Sequence, residues 1–162
     1  MINGKTIVLT GASSGIGLEV LKLLAEGQDN RILAVSRHAV EKLTGFAPNV
    51  TPFDCDVSSP EGIEKLFAQA ESMFEKIDIF YANAGYSYYE EINYCDWDRV
   101  QRIFETNVFS PIYTYQKYRA HLDGRPALPR GQTPAPSVPR FLHGYRRPAG
   151  NIPLLCAIPL RR

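Results

Sequence analysis

The fold of this chain is decided by one stretch of sequence, TGASSGIG at residues 10–17. It follows a largely apolar run at residues 5–9 that is typical of a buried strand, and it precedes the apolar spacing of a helix at residues 18–26. The glycines allow a tight turn in which the backbone can approach a ligand closely. Because the helix directs N–H groups and a partial positive charge towards this turn, the stretch predicts a site for the pyrophosphate of a dinucleotide.

Strand and helix signals continue to alternate along the chain. Further short strands are predicted at residues 32–35, 50–53 and 77–82, each rich in apolar residues. Ser58 and Glu61 have the spacing of a capping box ahead of the next helix. Such alternation with short loops predicts an α/β fold, in which a parallel sheet is covered by helices on both sides.

A long helix is predicted to begin near Asp96, and Pro111 is expected to kink it because proline lacks the N–H that a helix needs. Apolar residues at helical spacing are predicted to form its inner face, against the sheet. They are Trp97, Val100, Ile103, Phe104 and Val108.

The end of the chain differs sharply in composition from the rest. Residues 124–162 contain seven of the 18 basic residues, none of the 17 acidic ones and eight of the 12 prolines. This segment therefore carries a net charge of +7, and the remainder carries −6. We predict a folded domain over residues 1–122 and a low-complexity, disordered tail over residues 123–162. No paired aromatic residues accompany the arginines of the tail, so no nucleic-acid partner is expected.

Cysteine usage and the N-terminus bear on the location of the protein. Cys55, Cys95 and Cys156 match no zinc or redox spacing, so we expect free thiols in a reducing compartment and no bound metal. The first strand begins within a few residues of Met1, which leaves no room for a signal peptide. No apolar run is long enough to span a bilayer. We therefore expect a cytoplasmic protein with no membrane partner.

Arg37 follows the second predicted strand and bears on the choice of cofactor. In dinucleotide-binding folds an acidic residue at the end of this strand holds the ribose hydroxyls, whereas a cation accommodates a 2′-phosphate. Ser36 occupies the place of the acid, and the guanidinium of Arg37 suits a phosphate. NADP is therefore favoured over NAD, with a solvated arginine at a strand end as the alternative.

Polar and small residues also follow the third and fourth predicted strands. Asp56 and Val57 come after the third strand, where a carboxylate can meet an adenine amino group; alternatively, the aspartate caps a helix. Asn83, Ala84 and Gly85 come after the fourth strand, where small residues would let a cofactor approach the backbone. An ordinary Asn-Gly-type turn is the alternative there.

These motifs, together with Asn107 in the run ETNV at residues 105–108, resemble the short-chain dehydrogenase/reductase family over about residues 4–120. The resemblance implies a partial Rossmann fold with strand order 3-2-1-4, and hydride transfer between NAD(P)H and a carbonyl or alcohol substrate. It further implies that Asn107 acts in catalysis by holding a water of a proton relay. With Arg37 added, the implied cofactor site consists of Gly11, Ser13, Ser14, Gly15, Ile16, Gly17, Arg37, Asp56, Val57, Asn83, Ala84 and Gly85.

The catalytic serine, tyrosine and lysine of that family have no counterpart where the resemblance would place them. Tyr113 and Lys117 have the right mutual spacing, but they lie just after Asn107 on the same predicted helix. Tyr145 stands near the expected distance, but Ala149 replaces the lysine. Since general acid–base catalysis needs these groups, hydride transfer is predicted to be lost or severely impaired. The C-terminal tail is interpreted as divergent or frame-shifted.

Two other functions stay open from the sequence. A non-catalytic fragment could bind nucleotide, or could pair with an intact relative or with a second copy through the exposed edge of the fourth strand and the neighbouring helix. The Pro-x-x-Pro spacings at residues 126–129 and 136–139 would suit a domain that recognises proline-rich peptides.

Overall fold

The computed structural model of the protein describes residues 2–87 and 95–123. The predictions for the tail beyond Asp123, including those for Tyr145, Ala149, Cys156 and the proline spacings, lie outside the described residues. Within the described ranges, strands and helices alternate as predicted.

Four parallel strands form one sheet: β1 (Thr6–Thr10), β2 (Arg31–Ser36), β3 (Val50–Asp54) and β4 (Ile79–Tyr81). Their order is β3-β2-β1-β4, which confirms the predicted α/β fold and its strand order. In β1, Val8 pairs with Leu33 of β2 and with Phe80 of β4. Residues 7–10 are all buried, because a strand in the interior of a parallel sheet is covered on both faces.

Within the described ranges, the helices are α1 (Gly15–Ala25), α2 (Ala39–Leu43), α3 (Pro60–Met73), α4 (Trp97–Phe104) and α5 (Ser110–Asp123), with a π-helical turn at Glu105–Phe109. α1 begins three residues earlier than predicted, because the Leu18 amide already donates to the Ser14 carbonyl inside the glycine turn. α2 escapes prediction because five residues are too few to show a helical period. No helix in these ranges is long and apolar enough to cross a membrane.

Two hydrophobic cores lie on opposite faces of the sheet, because successive side chains of a strand point to opposite sides. On one face Val8 and Phe80 pack with α3 and α5, and the rings of Phe67 and Phe80 stack with centroids 5.3 Å apart. On the other face Leu9 packs with Leu21 of α1 and with α2. The helices therefore cover both faces and leave the carboxyl ends of the strands accessible at one edge.

The start of α3 corrects the predicted capping box. Ser59, not Ser58, is the cap: its Oγ accepts the amide of Gly62 at 3.0 Å. The Ser58 amide instead donates to Asp56 Oδ1 at 3.0 Å. Pro60 explains the shift, because its fixed φ and missing N–H suit the first helical position, and the cap must stand directly before that position.

The predicted inner face of the long helix is wrong for three of its five residues. Val100 and Ile103 are partly buried, but Trp97, Phe104 and Val108 are 76 %, 50 % and 39 % exposed. Helical spacing defines an apolar face, yet burial of that face requires a further layer of structure. In residues 2–87 and 95–123, no element supplies that layer.

The long helix begins where predicted, with Asp96 Oδ1 accepting the amide of Asp98 at 3.0 Å. Ahead of Pro111, where a kink is predicted, the structure has a π-helical turn in which the Ser110 amide donates to the Glu105 carbonyl five residues back. Proline cannot donate the next helical hydrogen bond, so a change of hydrogen-bond register at this point costs little.

The last two turns of α5 are anchored to the start of β4. Tyr118 Oη donates to the carbonyl of Asp78 at 3.1 Å, and His121 Nε2 accepts the amide of Ile77 at 3.2 Å. Burial and the nearby charge of Asp78 raise the pKa of the Tyr118 phenol. The phenol therefore stays protonated and able to donate over the usual pH range.

Asp78 joins the start of β4 to β1. Its Oδ2 accepts the amide of Thr6 at 3.1 Å, and its Oδ1 lies 3.3 Å from Lys76 Nζ. Partial burial raises the pKa of Asp78, but the hydrogen bonds from the Thr6 amide and hydroxyl, together with Lys76, outweigh burial. The pKa of Asp78 therefore lies below its usual value.

We predict that Asp78→Asn lowers the free energy of unfolding by about 1 kcal/mol at neutral pH. Because the pKa of Asp78 is lowered by folding, its contribution is complete above the unfolded pKa of about 3.9 and is lost as the pH falls through the folded pKa. Urea unfolding at neutral and acidic pH measures the difference, with the exposed Glu75→Gln as control. A difference that stays the same at acidic pH would contradict the prediction.

Candidate nucleotide-binding site

A cavity of about 390 Å³ lies at the carboxyl ends of the strands. Its size is in the range of small-molecule sites, and its position is the one at which open parallel sheets bind ligands. The structure brings every residue of the predicted cofactor site to the lining of this cavity: Gly11, Ser13, Ser14, Gly15, Ile16, Gly17, Arg37, Asp56, Val57, Asn83, Ala84 and Gly85.

The floor of the cavity is a close approach between the glycine turn and the end of β4. A Cβ atom on Gly17 would lie 2.1 Å from the Gly11 carbonyl oxygen and 2.5 Å from Asn83 Nδ2. Gly11 has a φ of +68°, and a Cβ atom there would lie 2.9 Å from Ala84 Cα. Both positions need glycine, because side-chain carbons do not pack this close to backbone atoms.

Asn83 holds this floor together and does not form an ordinary turn. Its Nδ2 donates to the carbonyls of Thr10 and Gly11 at 3.2 Å and 3.4 Å. The amides of Asn83 and Ala84 both donate to the hydroxyl of Thr10 at 3.1 Å. Thr10 is buried at the end of β1, and its structural role was not predicted.

Asp54, at the end of β3, and Asp56, just after it, form different hydrogen bonds. Asp56 Oδ1 accepts the Ser58 amide, so Asp56 shapes the turn and does not cap α3. Asp54 Oδ1 accepts the Val40 amide at 2.8 Å and thereby holds the first turn of α2. Between them, Cys55 donates its thiol to the Gly62 carbonyl at 3.0 Å, and burial followed by the charge of Asp56 raises the pKa of that thiol.

Four basic residues line the cavity from two directions. Arg37, His38 and Lys42 come from β2 and α2, and Arg102 comes from α4. In the part of the chain that the structure describes, the side chains of Arg37, Lys42 and Arg102 form no ion pair. Cations that line a concave surface without partners raise the local concentration of anions and can pair with a phosphate.

Sequence reasoning missed Lys42, Arg102 and Thr106 in this lining. Lys42 can be assigned to the cavity lining only when it is known that α2 forms after β2 and packs against the sheet. Arg102 and Thr106 are four residues apart on a helical segment, so they share one face, and their proximity to Asn107 is the one signal that could have found them.

Asn107 lies beside the cavity and not in its lining. Its Oδ1 accepts the amide of Tyr86 at 3.0 Å, and its Nδ2 donates to the carbonyl of Tyr86 at 2.7 Å. The carboxamide therefore pairs with both backbone groups of one residue and fastens the loop after β4 to the π-helical turn. This geometry positions the loop that carries Asn83–Gly85.

Tyr113 and Lys117 point to α3 and away from the cavity. The Tyr113 hydroxyl and the Lys117 ammonium group both contact Glu64 Oε1, and neither residue lines the cavity. Partial burial raises the pKa of Glu64, but the contacts with Lys117 and Tyr113 outweigh it and lower the pKa overall. The pair therefore braces α5 against α3.

Comparison with known proteins places the chain in a family. The short chain dehydrogenase profile matches residues 5–127. Short chain aldehyde dehydrogenase 1 of Euphorbia lathyris is 33% identical over 114 residues, which cover 67% of this chain and 40% of the relative. The 3-oxoacyl (acyl-carrier-protein) reductase FabG of Chlamydia pneumoniae is 32% identical over 124 residues, which cover 74% of this chain and 50% of the relative.

Among solved structures, L-sorbose reductase from Gluconobacter frateurii, in complex with NADPH and L-sorbose, is 29% identical with a TM-score of 0.63, covering 76% of this chain and 48% of that one. The chain belongs to the short chain dehydrogenase family, as predicted from the glycine turn, Asp56 and Val57, Asn83–Gly85, and Asn107. It spans about half the length of the curated relatives it matches.

We predict that Gly17→Ala destabilises the chain by about 1–3 kcal/mol, because the added methyl group would have to displace the Gly11 carbonyl or Asn83. Gly4→Ala is the opposite case: Gly17 has no positive φ and close contacts, whereas Gly4 has a φ of +61° and no atom near its Cβ position, so Gly4→Ala reports backbone strain alone. Urea unfolding compares the two. An unchanged free energy of unfolding for Gly17→Ala would show that the close contact at Gly17 is unimportant.

Proposed function

We propose that this chain binds NADP(H) in the cavity at the carboxyl ends of its strands. By descent it is an oxidoreductase of the type that transfers hydride between this cofactor and a carbonyl or alcohol group. The observation that carries the proposal is that one cavity of about 390 Å³ is lined both by the glycine turn and by the basic residues Arg37, Lys42 and Arg102, which form no ion pair within residues 2–87 and 95–123. A cytoplasmic location is part of the proposal and accords with the buried free thiol of Cys55.

The glycine turn fits the pyrophosphate of a dinucleotide. The positions of Gly11 and Gly17 leave no room for a side chain, so α1 packs closely on the glycine turn, and the first residues of α1 line the cavity with backbone N–H groups that have no partner within the helix. Ser13 and Ser14 add hydroxyls, and α1 directs its N-terminal end at the same space. Helix dipole and free N–H groups both favour an anion there.

The end of β2 fits a 2′-phosphate better than free ribose hydroxyls. Ser36 stands where a carboxylate would accept those hydroxyls, and Arg37 follows it in the lining. A guanidinium can form two parallel hydrogen bonds to one phosphate. We therefore assign NADP(H) as the cofactor in preference to NAD(H).

The remaining walls fit the adenosine end. Asp56 and Val57 lie on one side and Thr106 on the other, with Asn83–Gly85 at the ribose side. Asn107 is proposed to hold a water of the proton relay; since its Oδ1 and Nδ2 are already paired with the backbone of Tyr86, the water would use the second lone pair of Oδ1.

When bound, the nicotinamide of the cofactor gives or accepts hydride at the substrate carbon. The chain must then exchange a proton with the substrate oxygen, a task for a positioned acid or base. Tyr113 is engaged with Glu64 on the far side of α5 and does not line the cavity. We propose that hydride transfer by these 162 residues is lost or severely impaired.

A second candidate function is self-association. Phe109 and Ile112 are 58% and 54% exposed, and they extend the exposed apolar surface of Trp97 and Phe104 along the long helix. Large exposed apolar patches mark interaction surfaces or aggregation sites. The same helical segment contributes Arg102 and Thr106 to the cavity lining, so association of two copies through it would take place next to the nucleotide site.

We predict that NADPH stabilises the purified chain against thermal unfolding without turning over. Ligand at 100 times its dissociation constant adds about 2.7 kcal/mol to the free energy of unfolding. Differential scanning fluorimetry measures the shift, and loss of NADPH absorbance with a panel of aldehydes and ketones measures turnover. No stabilisation would refute cofactor binding, and turnover abolished by Tyr113→Phe would refute the loss of activity.

We predict that Arg37→Ala weakens NADPH binding by at least about tenfold and leaves NADH binding unchanged, because the guanidinium pairs with the 2′-phosphate alone. Arg119→Ala on α5, whose side chain does not line the cavity, is the matched control. Fluorescence titration with both nucleotides gives the two affinities. An equal loss for NADH would place Arg37 outside a 2′-phosphate site.

A further inference from the structure

Lys42 occupies a defined position at the edge of the cavity. It lies on α2, whose residues Ala39 and Leu43 are buried at 0% and 2% exposure against the sheet. Residues three and four apart on a helix share a face, so burial of these two residues fixes the rotation of the helix about its axis. With that rotation set, Lys42 borders the cavity.

The position of α2 is held by the neighbouring strand. Asp54, the last residue of β3, accepts the Val40 amide in the first turn of α2 at 2.8 Å. β3 in turn pairs with β2, where Ser36 is in register with Asp54. Asp54 therefore contacts both the end of β2, which Arg37 follows, and the first turn of α2, which carries Lys42.

The charges near Lys42 favour an anion. Arg37 and His38 line the same cavity as Lys42, and the Lys42 side chain has no ion-pair partner in residues 2–87 and 95–123. Asp56 also lines the cavity, and one of its oxygens is engaged by the Ser58 amide. An ammonium group with three donors and a guanidinium, on residues that line one cavity, together suit a doubly charged phosphate.

We propose that Lys42 is a specificity-determining residue that acts with Arg37 on the 2′-phosphate of the cofactor. This inference rests on the proposed binding of NADP(H) and adds a second cation, supplied by a different element, to that subsite. The guanidinium binds the phosphate through directional hydrogen bonds, and the compact ammonium group on the flexible Lys42 side chain contributes charge. Discrimination between NADPH and NADH is thereby divided between β2 and α2.

The test uses the full chain and two small probes, 2′,5′-ADP and 5′-AMP, which differ by the 2′-phosphate. Isothermal titration calorimetry gives their affinities for the unchanged chain, Lys42→Ala, Lys42→Arg and Arg37→Ala. Lys22→Ala is the matched control, since Lys22 is an exposed helical lysine whose 2.7 Å partner is Glu19 and which does not line the cavity. Thermal unfolding of each variant without ligand checks that the fold is intact.

Lys42→Ala is expected to weaken binding of 2′,5′-ADP by about tenfold and to leave 5′-AMP unchanged, whereas Lys42→Arg and Lys22→Ala bind as the unchanged chain does. If Arg37→Ala loses 2′,5′-ADP selectively but Lys42→Ala does not, the inference is overturned and the proposed function stands. If Lys42→Ala weakens both probes equally, the inference is also overturned. If the unchanged chain does not prefer 2′,5′-ADP, the assignment of NADP(H) fails together with the inference.

Discussion

The contact between Gly17, the Gly11 carbonyl and Asn83 is the constraint on which the rest of the site depends. With no side chain at either glycine, α1 lies directly against the end of β1, and Asn83 Nδ2 reaches the carbonyls of Thr10 and Gly11. The buried hydroxyl of Thr10 accepts two amides of the loop after β4. One steric requirement thus joins the helix, the strand and the loop, and residues of all three line the cavity.

The two ends of the cavity are built by different forces. The glycine end is shaped by backbone packing that tolerates no added atom. The end formed by β2 and β3 is shaped by polar contacts, such as that of Asp54 with the Val40 amide, and it collects basic side chains. The π-helical turn contributes Asn107, which fastens the loop after β4. The following helix, α5, is held against α3 through Glu64 and against the start of β4 through Tyr118 and His121.

Local signals in the sequence were sufficient to locate the strands, and the family resemblance implied their order. The same signals selected the residues proposed for the cofactor site, all of which line the cavity. The start of α3 was misjudged by one residue because Ser58 and Ser59 both satisfy the chemistry of a cap, and the geometry of Pro60 chooses between them. α2 and hence Lys42 were missed because a five-residue helix carries no period. Trp97 and Phe104 were assigned to an inner face because spacing identifies an apolar face without showing whether anything covers it.

By itself, the sequence determined the glycine turn, the alternation of strand and helix, and the membership of a dinucleotide-binding family, because these depend on residue type and on spacing within short segments. The tertiary structure alone decided which side chains meet at the cavity, that Tyr113 and Lys117 face Glu64, and that the carboxamide of Asn107 is engaged by Tyr86. The physical reason is that such contacts join residues far apart in the chain. Their partners are set by the packing of whole elements, which no local pattern records.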